Sequence, residues 1–353
     1  MTGKFERVIL GAAGCLVIGS LTAAVISPPS SDITVPRANL KSLPKVVIHE
    51  NTEIDWQSNI FPVRVISPSA ESLTEDTDIR ARAFRHKTTS FYSAEALSKT
   101  FERLGYNLDG VRAGGIKVPR LFLASLPPDM AEIQQAEKRK ALFFKTVLPL
   151  ILQTNDEIRE ERQRLLDLHL RLNVGEYLPA ADRLWLLVLA ERYKFEKVNI
   201  TDLLRRVDIV PASLALAQAA EESGWGTSRF SREGNAIFGE WTFSGRDGLV
   251  PRQRDSGKSH KVRAFRSLMD SVRAYVHNLN THRAYRKFRA LRDQIRKSGL
   301  PIRGRQLSKT LTSYSERGIN YIKGLRAIMS VNKLDRLDNA KLSRPEKAIR
   351  PVI

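Results

Sequence analysis

Cysteine is almost missing from this chain: its 353 residues hold one, Cys15. That excludes an intramolecular disulfide, and because Cys15 lies in an apolar run, no thiol is left for a soluble catalytic site. Histidine is sparse too. The six present (His49, His86, His169, His260, His277, His282) form no HExxH pair, and His277 and His282 are five apart, which separates them around a helix. No metal and no organic cofactor is expected. Acidic residues are outnumbered, 38 against 58 Lys and Arg, giving a net charge of +20. An anionic partner follows, whether nucleic acid, lipid or a charged polymer, and charge alone does not choose among them. No internal repeat is visible, and a hydrophobic content of 42% excludes a disordered chain.

Long apolar runs are confined to one place. After Lys4 and Arg7, Val8 to Ile26 runs for 19 residues without a charge. A signal-peptide core is about 7 to 15 residues and a spanning helix about 20, so an uncleaved anchor over residues 1–27 is expected, with a cleaved signal as the alternative. The "AAGC" ahead of Leu16 offers a lipid-acceptor cysteine, but only Val8 to Leu10 precede it as an apolar stretch. The flanking positive charges hold the N-terminus inside and send the remainder across the cytoplasmic membrane. Nucleic acid is then not an expected partner, and the remainder is placed in the periplasm or cell envelope.

Residues 28–90 are rich in Pro, Ser and scattered charge, which suits a linker. A helical prefix is expected over 91–200. In it "SAEALSKTFERLGYNL" puts Leu97, Phe101 and Leu104 on one face, and a long helix from about Asp129 to Leu172 should be kinked or split by Pro149. His169 falls on that helix's charge-dense, solvated face. A further helix, "AADRLWLLVLAERYKF", precedes the segment that carries the chemistry.

That segment is "PASLALAQAAEESGWG", with Pro211 tolerated in the first turn and Gly224 placed to end the helix. Glu221 and Glu222 occupy the last turn, about 100° apart around the axis. They cannot do the same job. Glu222 shares a face of small and polar groups with Ala215, Gln218, Ala219 and Trp225, whereas Glu221 follows Leu214 and Ala217. Periodicity favours Glu222 as a cleft residue, although two glutamates ending a helix are also what plain solvated surface looks like.

Here the stretch resembles the glucosaminidase domain of glycoside hydrolase family 73, in which an alanine-rich helix ends in Glu-Ser-x-Trp-Gly. The blocks "GNAIFGEW", "VRAFRSLMDSVRAYVHNL" and "YSERGINYIKGL" resemble the family's later blocks in the same order. Upstream, "VPRLFLASLPPDM" and "KALFFKTVLPLIL" are similar to the helical prefix of the Bax-type bacterial proteins in this group. The resemblance implies an α+β, mostly helical, lysozyme-like catalytic domain over 201–334 with a small β-hairpin lobe, followed by a basic tail over 335–353.

It also implies an endo-β-N-acetylglucosaminidase acting on peptidoglycan glycan strands, with Glu222 as general acid. A glycosidic oxygen leaves only when protonated, and a carboxyl at a helix C-terminus, partly buried, is kept neutral near pH 7. The second carboxylate is Glu240 or, after it, Asp255, on the hairpin lobe; the sugar's own acetamido group is the alternative. The resemblance places Tyr321 beside the acid, with Tyr314 next in line. Gln218 and Trp225 are expected to line the substrate cleft, Trp225 as apolar wall, sugar platform or core. Asn235 is expected to buttress the cleft, and Phe238 with Gly239 to allow close backbone approach. The basic run from Pro251 to Arg305 is a candidate rim for the polymer's carboxylates. Two rivals stay open: an amidase cutting the stem peptide, and a catalytically silent wall-binding protein.

Overall fold

The computed structural model describes residues 93–242, 248–249 and 261–344. The expected anchor (8–26), the linker, Cys15 and Asp255 lie outside the described residues. Among the described residues no helix is long and apolar enough to cross a membrane.

The fold is mostly helical. Helix α1 (Ala94–Arg103) begins at Ser93, whose hydroxyl accepts from Ala96 N–H, and buries Leu97 and Phe101. Leu104, expected on that face, is 53% exposed. It is the C-cap, and the chain turns at Gly105 (φ +62°) so that Tyr106 takes the core position instead, edge-on to Phe101. After α2 (Leu108–Arg112), a 3-10 turn at Pro128–Ala131 precedes α3 (Ala136–Asn173). Pro149 does not split α3. The residues around it, Val147, Leu148, Leu150 and Ile151, are wholly buried, and packing on this scale outweighs one lost backbone hydrogen bond.

Helices α4 (Ala180–Arg192) and α5 (Ile200–Arg206) lead to the central helix α6 (Ala212–Ser223), which buries all its residues but Glu221. Pro211 is its N-cap rather than its first helical residue and offers no capping side chain. The cap comes from far away: Asp338 accepts from Ser213 N–H (2.9 Å) and from Gly304 N–H (3.1 Å). Then follow α7 (Arg229–Gly234), the strands β1 (Trp241–Thr242), β2 (Gly248–Leu249) and β3 (Lys261–Arg263), and the helices α8 (Leu268–Thr281), α9 (Arg286–Lys297), α10 (Gly304–Ser308) and α11 (Ile319–Val331). The strands form one antiparallel sheet in the order β1-β3-β2, with Trp241 opposite Val262 and Leu249 opposite Val262 on the other side.

Prefix and central helix share one core, which runs from Ala94 to Leu342. Residues 335–344, the described part of the tail expected from 335, contribute to it. Leu334 and Leu337, three apart in a 3-10 turn (Leu334–Asn339) and so on one side, are fully buried, and Leu342 bridges in parallel to Val118. The basic run is likewise not all rim. Arg289 and Arg292 are buried, and Arg292 donates to the carbonyls of Arg205, Asp208 and Ile209 (2.8–3.1 Å), satisfying the C-terminal end of α5. Arg296 forks onto Asp208 (2.6 and 2.7 Å). Burial raises the Asp208 pKa, but the Arg296 hydrogen bonds and the charges of Arg292 and Arg162 more than offset it and hold the group below the usual range.

Candidate active site

The turn that follows α6 is strained by design of its sequence. Gly224, Trp225 and Gly226 are all left-handed, with φ of +57°, +62° and +78°. A tryptophan there is costly and needs support from its surroundings. The support is the prefix: the Trp225 ring meets Phe143 and Phe144 edge-on at 6.4 and 5.3 Å, with the Lys140 ammonium over its face at 5.3 Å. Ser223 braces the turn from inside, its hydroxyl donating to Ala219 O (2.6 Å) and accepting from Gly226 N–H (2.9 Å).

This turn leaves Glu222 at the end of the buried helix, 9% exposed. Its Oε1 accepts from the Tyr321 hydroxyl of α11 at 2.8 Å. Burial pushes the carboxyl up to about 7, the neighbouring Glu221 charge adds to the rise, and the Tyr321 bond and Arg317 oppose it. Glu221 points elsewhere and pairs with Arg317. The two glutamates, about 100° apart around the helix, thus face different surroundings.

Behind Glu222 lies a layer of polar and aromatic groups. Gln218 Nε2 donates to the Tyr321 oxygen (3.0 Å), and the Tyr275 hydroxyl of α8 donates to Gln218 Oε1 (2.7 Å). Gln218, expected in the cleft wall, has no exposed surface, and its carbonyl and amide are both engaged. Phe238 is also buried, stacked flat on Tyr275 (3.8 Å, 6°), so it supports that ring rather than lining a cleft. Asn235, left-handed at the end of α7, ties its amide to the carbonyls of Phe265 and Arg266 and so anchors the sheet to α7. Tyr314 stacks on Tyr321 (5.5 Å, 4°), donates to Phe238 O (3.3 Å), and with Trp225 keeps partial exposure.

A second carboxylate meets this layer. Glu240, immediately before β1, has a buried Oε1 with no partner among the described residues, while its Oε2 is 3.6 Å from Arg263. Burial raises it to about 7 against the pull of Arg263. After the larger effect of burial, Glu222 and Glu240 both raise the pKa of Tyr285 and Tyr314, so both carboxylates bear on one aromatic cluster. Two carboxyls poised near neutrality can give or take a proton at physiological pH. Tyr275 and Tyr285 carried no signal in the sequence, because 57 residues separate Tyr275 from Gln218 and no periodicity spans a helix–sheet–helix path.

Residues 198–334 match the glucosaminidase family, described as mannosyl-glycoprotein endo-beta-N-acetylglucosaminidase. The chain is 37% identical over 212 residues to Protein bax of Escherichia coli (strain K12), a match that covers 58% of this chain and 74% of that protein. No solved structure matches the chain.

Proposed function

The chain belongs to the glucosaminidase family, and from that premise we propose that it hydrolyses peptidoglycan at the β-1,4 bond following N-acetylglucosamine. The observation that carries the proposal is Glu222: a carboxyl at the end of a buried helix, raised to about 7, held by one hydrogen bond. Its proton passes to the glycosidic oxygen as the C–O bond breaks. Glu240 takes a proton from water as the water attacks the anomeric carbon, and solvent returns both carboxyls to their starting states. Glu240 suits this role because its carboxyl is raised to about 7 and its Oε1 has no partner among the described residues. Residues 8–26 hold the enzyme at the cytoplasmic membrane with its catalytic part in the cell envelope; membrane fractionation before and after their deletion tests that placement.

The central test is mass spectrometry of borohydride-reduced peptidoglycan after digestion by wild type and Glu222→Gln. Fragments ending in reduced N-acetylglucosamine, absent with the variant, are expected. Intact strands freed of stem peptides would mean an amidase and sink the reading. Anomer analysis by proton NMR decides the second group: inversion supports Glu240, and retention transfers its role to the sugar's acetamido group.

A further inference from the structure

The three hydrogen bonds behind Glu222 run in one direction, and the residue at the far end sets it. The Tyr275 hydroxyl is buried under Phe238, and Gln218 is its one hydrogen-bond partner among the described residues. A buried hydroxyl with a single available acceptor donates to it, so Gln218 must turn its carbonyl oxygen towards Tyr275. Its NH2 then faces Tyr321, whose oxygen accepts and whose hydrogen is sent on to Glu222 Oε1.

We propose that Tyr275 and Gln218 are positioning residues that keep Glu222 Oε1 a permanent acceptor and so confine the acidic proton to Oε2, the oxygen that Tyr321 does not engage. The opposite orientation exists on paper. With the Gln218 amide turned over, Tyr321 would donate to Gln218 and accept a proton from Glu222 Oε1, burying the acidic hydrogen where no glycosidic oxygen reaches it. That arrangement strands the Tyr275 hydrogen without an acceptor, which disfavours it by about 10- to 100-fold. No other group near Glu222 among the described residues replaces this control. Glu221 and Arg317 pair with each other, and the Tyr285 and Tyr314 hydroxyls, like those of Tyr275 and Tyr321, are held neutral by burial. Glu240 acts on the cluster from the sheet side through Tyr285 and Tyr314.

Tyr275→Phe tests this, since the ring and its stack on Phe238 survive and only the hydroxyl is lost. Glu222 is titrated by carbon-13 NMR of carboxyl-labelled glutamate, its signal assigned by its absence in Glu222→Gln. In Tyr275→Phe the Gln218 amide is released, the protonated carboxyl gains an acceptor, and the Glu222 midpoint moves to higher pH. kcat falls about 10-fold even at pH values where Glu222 is fully protonated, with KM unchanged. Tyr106→Phe, which deletes an unpartnered buried hydroxyl in the prefix, leaves both readouts unmoved. A Tyr275→Phe enzyme whose Glu222 titration and kcat stay within twofold of wild type overturns the proposal, as does lowered thermal stability with no change in titration. The kcat readout rests on the glycosidase reading, whereas the titration does not, so the two can fail separately.

Discussion

A carboxyl raised to about 7 from an ordinary 4.5 costs the fold stability at the pH where it works. Below about pH 4.5 Glu222 is protonated in folded and unfolded chains alike, and nothing is lost. Between 4.5 and 7 the unfolded chain releases its proton first, so the native state loses ground steadily and the full penalty, about 3 kcal/mol, is present above pH 7. Glu222→Gln should therefore melt higher than wild type at pH 8 and at nearly the same temperature at pH 4, while losing all lytic activity. Calorimetry at the two values checks it; equal gains at both would mean that packing, not ionisation, is responsible. Arg317 moderates the effect by its charge, whereas the Glu221 charge adds to it.

Among the elements, the turn after α6 concentrates the most constraint in the fewest residues. Gly226 is left-handed, and a Cβ there would sit 2.7 Å from Leu126 Cδ1 and 3.1 Å from Phe143 Cδ2. Gly226→Ala should cost about 2 to 4 kcal/mol, from backbone strain plus displaced prefix side chains, as read by urea denaturation. This turn was partly legible in advance. Gly224 as helix terminator, Glu222 as the inward glutamate and the helix of residues 94–103 all follow from spacing and capping residues, because those are local properties. The docking of Trp225 on Phe143 and Phe144 did not follow, since a tryptophan after a helix reads equally as platform or core until its partner is known. Gln218 reads as a cleft residue for a related reason: periodicity gives a face, and only packing tells whether solvent or another helix covers it. The split expected at Pro149 fails for the opposite reason, the local preference being overridden by wholly buried neighbours.

At the scale of the molecule, the basic charge divides into two populations. Some cations face solvent, and others, centred on Arg292, hold helix ends to the core. Arg292→Met removes one of the cations around Asp208 and the hydrogen bonds to the carbonyls of Arg205, Asp208 and Ile209 and should cost about 2 to 4 kcal/mol, whereas a substitution at exposed Arg336 should cost under about 0.5, a contrast that thermal melts resolve. The cap on α6 works across a longer reach. Ser213 depends on Asp338, 125 residues later, and Val118 on Leu342. A chain emerging N-terminus first would thus carry its acidic glutamate long before the cap that seats the helix beneath it. Seating of the helix that bears Glu222 is therefore among the last events of folding, because its cap lies at residue 338.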